Sequence, residues 1–293
     1  LIRFVFKTEG FSIMTQNFKA LDTLMSDKVE AVIFDWAGTL VDFSSLAPTQ
    51  IFVDAFATFG IQISLEQARG PMGLSKRDHI RTLLATESIQ DQWVAQFERA
   101  STDADIDAIY ERFMPMQIEK VAEYSAPIEG AAAVLEQLRA KGIKVGSCSG
   151  YPRQVLDVLL PAAASQGLAP DCVIAGDELP AGGRPGPFMA LANVLALGVG
   201  DVRRCIKVDD TVPGIEEGRR AGMWTVGLSL SGNEVGLSLA ELETADPVEV
   251  KARVERASER LSQSGAHYVI ETIADFPAIV QAIQARLAQG ETP

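Results

Sequence analysis

The stretch AVIFDWAGTL, Ala31–Leu40, runs from an apolar segment into one carboxylate, Asp35, and turns through a glycine to Thr39. A carboxylate so placed can accept a phosphoryl group and split one difficult step into two. Alone, such an aspartate equally caps a turn. Three later stretches strengthen the chemical reading. SCSGY, Ser147–Tyr151, sets the hydroxyl of Ser149 beside Gly150, so that side chain and backbone N–H reach a phosphate together. Ser-Gly turns are common, and this signal is weak by itself. In GGRPGPF, Arg184 offers a guanidinium that grips two oxygens at once, or sits in a surface turn. KVDDT carries Asp209, Asp210 and Thr211. A divalent ion such as Mg²⁺ takes hard oxygen ligands, which Asp35, the Ala37 carbonyl and Asp210 can supply.

These residues need elements that bring them together. Val29–Phe34 is short, apolar and partly β-branched, the pattern of a buried strand with Asp35 at its C-terminal end. From residue 46 to 124 the spacing is helical. Strand and helix patterns then alternate: helix AAAVLEQLRAKG, strand IKVG, helix PRQVLDVLLPAAASQG, strand DCVIAG, helix PFMALANVLALG, strand CIKVDD, helix GIEEGRRAG and strand WTVGLSL. PVEVKARVERASERLSQSG predicts a charged amphipathic helix on a solvated edge, and HYVIET and FPAIVQAIQARLAQ a closing strand and helix. The expected fold class is α/β, a Rossmann-like parallel-sheet core (29–45 and 125–293) with an inserted α-helical cap domain (46–124). Ligands of such sheets bind at the C-terminal strand ends.

The 293 residues are 47% hydrophobic, enough for a sizeable core. A net charge of −13 and a pI near 4.7 argue against binding nucleic acid or an anionic membrane surface. No apolar run is long enough to span a bilayer. Cys148, Cys172 and Cys205 have no paired short spacing, so reduced thiols and a cytoplasmic location are expected. Residues 1–28 begin with Leu and lack a secretory pattern; an overlong start, with Met14 or Met25 first, is the expectation.

The order of these motifs resembles the haloacid dehalogenase superfamily. Most phosphatases of that group carry a second aspartate two residues after the nucleophile, where this chain has Ala37. Arg184 stands where their phosphoryl-neutralising residue, usually lysine, is found. DWAGT, GPMGLSKRDHIR, SGY, GRPGPF and GMWTVG narrow the resemblance to the phosphonatase (phosphonoacetaldehyde hydrolase) family over roughly Val29 to Ala288. The resemblance implies hydrolysis of the small phosphonate phosphonoacetaldehyde to acetaldehyde and phosphate, with Mg²⁺, in a homodimer. It puts a Schiff-base lysine on Lys76, the nucleophile on Asp35, metal ligands on Asp35, Ala37 and Asp210, and the phosphate-binding arginine on Arg184. Met72, His79 and Tyr151 match residues around the imine. GGRPGPF carries an extra glycine, Asp209 stands where some members have glycine, and Gly214 where some have an acid.

The residue types suit that chemistry. An ester leaves as an alkoxide and needs an acid at its oxygen; a phosphonate must release carbon. Condensing its aldehyde with an amine lets the electrons leave as an enamine, so a lysine at 76 and no acid at 37 belong together. Lys76 must shed its proton against an ordinary pKa of about 10.4. Burial under the cap and the neighbouring Arg77 are expected to help. His79, one helical turn on, can carry the protons of these steps, or simply pack or cap. An ordinary capped phosphatase or sugar-phosphate mutase would carry an acid at 37 and have no use for Lys76. A catalytically silent interaction protein would be expected to lose the nucleophile or the metal acids.

Overall fold

A computed structural model describes residues 28–293; the expected N-terminal extension lies almost wholly outside the described residues. Among these, six parallel strands form one sheet in the order β3-β2-β1-β4-β5-β6. They are β1 (Ala31–Phe34), β2 (Lys144–Ser149), β3 (Cys172–Ala175), β4 (Cys205–Asp209), β5 (Trp224–Leu228) and β6 (Tyr268–Ile270). β1 lies in the middle with every residue buried, because helices cover both faces. Val32 and Phe34 join the larger apolar cluster, while Ala31 and Ile33 face a second one with Met189 and Met223. That two-sided burial is why the strand reads as a continuous apolar run.

The chain leaves β1 to one side for β2 and β3, then returns to β1's other flank with β4. The crevice between β1 and β4 is therefore the topological switch point. The register pairs Phe34 with Val208, and the Asp35 amide donates to the Val208 carbonyl at 3.0 Å. Asp35 is thus set beside Asp209 and Asp210 by strand pairing.

Between β1 and β2 stand α1 (Leu46–Ala57), α2 (Leu65–Arg69), α3 (Lys76–Leu84), α4 (Glu87–Phe97), α5 (Asp103–Lys120) and then α6 (Ala131–Ala140). α4 begins four residues before the expected DQWVAQFERA, since Thr86 already has extended N-cap geometry and Glu87 sits in the first turn. The link into α1 turns through left-handed Asp42, Ser44 and Ser45, and the Asp42 carboxylate accepts from the Leu46 and Ala47 amides. The later strands alternate with α7 (Arg153–Ala164), α8 (Phe188–Leu197) and α9 (Val212–Arg220). α10 (Leu239–Thr244) and α11 (Pro247–Gln263) precede β6, and α12 (Phe276–Ala288) closes the chain. α11 presents charge to solvent but buries Ala257 and Leu261, the latter against Gly227 of β5. No helix of the described residues is long and apolar enough to cross a membrane.

Candidate active site

Asp35 is 5% exposed and accepts from Arg184 Nη2 at 2.7 Å. Burial lifts its carboxyl to about 6, the Arg184 charge opposing and Asp209 adding to the rise. Arg184 is held on several sides. Its Nε donates to Glu217 at 2.9 Å, and Nη2 also donates to the Cys148 carbonyl at 3.0 Å and lies 3.1 Å from Asp209. Lys207, on β4, pairs with Asp209 and lies 3.8 Å from Glu217, with no exposure at all. Motif reasoning on the sequence misses both Lys207 and Glu217. The signal available is a charged residue inside an apolar strand pattern and another on the face that α9 turns inward.

The carboxylate oxygens of Asp35, Asp209 and Asp210 lie within 4.8 Å of one another. Asp210 accepts from the Asn233 amide at 2.8 Å, from Thr39 Oγ1 at 3.2 Å and from Ser45 Oγ at 3.4 Å. Burial and the two neighbouring acids hold its carboxyl well above the ordinary range. Four buried carboxylates (Asp35, Asp209, Asp210, Glu217) gather around the buried cations Arg184 and Lys207, with Lys76 across the cavity, so acids outnumber bases. A divalent cation fits that excess and the hard oxygen donors. Asp209 is the acid whose charge is already matched, by Lys207 and by Arg184 Nη2 at 3.1 Å, and its oxygens also accept from Thr211 N and Thr211 Oγ1.

Lys76 opens α3 behind the N-cap Ser75, whose hydroxyl accepts from the Asp78 amide. It is 4% exposed, with Nζ 5.5 Å from the Phe52 ring centre and 4.9 Å from that of Tyr151. Burial lowers its ammonium to about 7; Asp35 favours the charge and Arg184 opposes it. A helix N-terminus also disfavours a cation. The expectation for Arg77 is corrected: it turns outward and pairs with Asp107 at 2.6 Å. The cation that acts on Lys76 is the distant-in-sequence Arg184.

His79 is fully buried, stacked on Phe52 with ring centres 3.8 Å apart. Its Nε2 lies 2.9 Å from the Ala68 carbonyl, which can only accept, so Nε2 carries the hydrogen. Nδ1 is left a bare acceptor with no partner among the described residues. Burial and Lys76 hold the ring neutral, well below its ordinary pKa.

Asp35, Ala37, Met72, Lys76, Ser149, Gly150, Tyr151 and Arg184 line one cavity of about 20 Å³, together with Ser45, Pro48, Gly73, Leu74 and Thr211. Thr39, His79 and Asp210 do not line it: Thr39 donates to Asp210, and His79 stacks on Phe52, the ring that Lys76 Nζ also approaches. The loop before α3 closes the cavity. A Cβ on Gly73, whose φ is +95°, would come within 2.3 Å of Thr211 Oγ1. Ser149 Oγ accepts from the Tyr151 amide at 3.1 Å and shapes the turn after β2. Larger cavities, of about 450 and 760 Å³, hold none of Asp35, Lys76 or Arg184. The two departures at 209 and 214 fall on one volume: a Cβ at Gly214 would lie 1.9 Å from the Asp209 carboxyl carbon.

Residues 29–222 match the haloacid dehalogenase-like hydrolase family model. The chain is 56% identical over 271 residues to a phosphonoacetaldehyde hydrolase of Vibrio cholerae, covering 92% of this chain and all of that protein. It is 57% identical over 266 residues to one of Bordetella pertussis, covering 91% and 96%. The crystal structure of a phosphonoacetaldehyde hydrolase-like protein from Oleispira antarctica superposes with a TM-score of 0.89 at 44% identity, over 92% of this chain and 97% of that one. By family model, by sequence over nine-tenths of its length and by shape, the chain belongs to the haloacid dehalogenase-like hydrolases, in the group of the phosphonoacetaldehyde hydrolases.

Proposed function

We propose that this chain hydrolyses the P–C bond of phosphonoacetaldehyde through a lysine imine and an aspartyl phosphate. One observation carries the reading. A buried amine poised near 7, Lys76, shares a cavity with Asp35 and Arg184, while position 37 offers no acid. Neutral Lys76 Nζ attacks the aldehyde, and with uptake of one proton the adduct loses water to leave a protonated imine. Arg184 takes the phosphonate oxygens and turns the phosphorus towards Asp35. The Asp35 carboxylate attacks phosphorus, the P–C bond breaks, and its electron pair flows into the imine to give an enamine. Protonation at carbon and addition of water release acetaldehyde and Lys76; water then cleaves the aspartyl phosphate. Neutral His79, with Nδ1 free, relays protons beside Lys76. Met72 and Tyr151 exclude water around the imine, and Ser149 and Gly150 meet the phosphoryl oxygens. Thr39 acts through Asp210 and not by touching the substrate.

Asp35, the Ala37 carbonyl and Asp210 would hold Mg²⁺, which supplies charge neutralisation at the phosphoryl group. Residues 46–124 act as a cap that parts from the core to admit substrate. The remaining parts of the reading, a homodimer in the cytoplasm, rest on the resemblance and on three cysteines that are free here.

Phosphate release from phosphonoacetaldehyde, set against release from simple phosphate esters, tests the reaction. Borohydride added with substrate should inactivate the enzyme, with the reduced adduct mapped to Lys76. Lys76→Arg should be as inactive as Lys76→Ala. A clear preference for esters, or an active arginine variant, would return the chain to the ordinary phosphatases.

A further inference from the structure

Asp209 is buried in the site, yet its oxygens are already taken and it does not line the cavity. Its carboxylate sits in the space above Gly214, in the first turn of α9. A Cβ there would lie 1.9–2.1 Å from the carboxyl atoms, far inside contact distance. Gly214 lies within the regular helix and its φ is not positive, so space alone requires a glycine. The position is also electrostatically apt, because a helix N-terminus favours an anion. From that niche Asp209 lies 3.1 Å from Arg184 Nη2, the nitrogen that also serves Asp35.

We infer that Asp209, seated by the missing side chain of Gly214, is a positioning residue that holds the Arg184 guanidinium in place for the phosphoryl group. The inference rests on the reading of Arg184 as the phosphonate grip. Once Asp35 carries the phosphoryl group its carboxylate charge is gone, and it no longer pairs with Arg184 Nη2. Glu217 holds only Nε, so without Asp209 the outer nitrogen would have no charged partner at that moment. Asp209 keeps the fork facing the phosphoryl oxygens, while Lys207 balances its charge.

The test is calorimetric binding of inorganic phosphate to the full chain with Mg²⁺ present, which reads the grip without turnover. Asp209→Asn keeps the shape and loses the charge, and should weaken phosphate binding by about tenfold, the scale of one close charge pair. Gly214→Ala touches no ligand, but should produce the same loss by expelling the carboxylate. It reads the same quantity if the asparagine variant fails to fold. The double variant Asp209→Gly with Gly214→Asp returns a carboxylate to the same volume and should recover most of the binding. Phosphate binding is compared at Mg²⁺ saturating for each variant, and borohydride trapping at Lys76 should still occur in all of them. Unchanged phosphate affinity in both single variants would overturn the inference. So would a shift in Mg²⁺ requirement alone, which would make Asp209 a metal ligand. Failure of the functional reading looks different: the wild-type chain would then bind phosphate but release none from phosphonoacetaldehyde.

Discussion

Lys76 and Asp35 lie in one cavity with linked charges. The amine reacts when neutral, and burial brings its pKa to about 7, so imine formation should rise with pH through that region. The Asp35 charge favours the ammonium form. Asp35→Asn removes that support, so the midpoint of the trapping curve should move to lower pH. Borohydride trapping of the metal-free enzyme between pH 5 and pH 9, in both forms, measures it (about 7 being the wild-type midpoint). A move to higher pH would show that Asp35 does not act on Lys76. Asp35→Asn should also abolish phosphate release, since an amide is no nucleophile for phosphorus, while leaving trapping in place. Phosphate release near the wild-type rate would remove Asp35 from its role.

The helical insertion and the sheet meet through a tight loop. Ser75 caps α3 so that Lys76 stands at its first position, and Gly73 lets the loop backbone approach Thr211. Gly73→Ala puts a Cβ where Thr211 Oγ1 now lies and strains a positive-φ backbone. Misplacing the amine by even an ångström should lower phosphate release by about a hundredfold. The melting temperature should change far less, because no residue of the apolar core is altered. Activity close to wild type would show that Lys76 reaches its station without this contact. Ser75→Ala tests the same element more gently, with a stability loss of about 1 kcal/mol for a lost cap, read by denaturant unfolding.

At the scale of the molecule, the cavity of about 20 Å³ has room for little more than a water molecule. On the proposed reading, substrate entry requires the insertion and the sheet to part. Solution scattering should show a more open free enzyme that compacts with vanadate; superimposable curves at saturating vanadate would mean a permanently closed site. The excess of buried acids over bases has its own consequence. In the metal-free protein the Asp35 and Asp210 carboxyls are held above their unfolded values. The folded state then binds more protons than the unfolded one, and stability falls as pH rises from about 4 through about 6. Mg²⁺ relieves that repulsion, so it should raise the melting temperature more at pH 8 than at pH 5. Equal shifts at both values would dissociate the ion from these acids. Excess chelator should remove activity and added Mg²⁺ restore it.

Much of this is legible in the linear order of residues. Strand and helix repeat with periods that side-chain burial imposes, so periodicity alone sets Asp35, Ser149 and Asp210 at strand ends. Lys76 stands out only through the resemblance of GPMGLSKRDHIR to the phosphonatase family, which also makes sense of Ala37. Partners far apart in the chain are not legible, because periodicity carries no information about which strand ends become neighbours. Arg77, one residue from Lys76, is the natural neighbour in sequence, yet the helix turns it to Asp107 and the fold brings Arg184 instead. Thr39 belongs to the nucleophile motif, yet its hydroxyl serves Asp210. Lys207, Glu217 and the niche above Gly214 come together only once β4 and α9 pack against each other. The sequence by itself determined which chemistry-bearing residues are present and the elements that carry them. The tertiary structure alone decided which charges share one low-dielectric volume, and with them the protonation states on which the proposed chemistry depends.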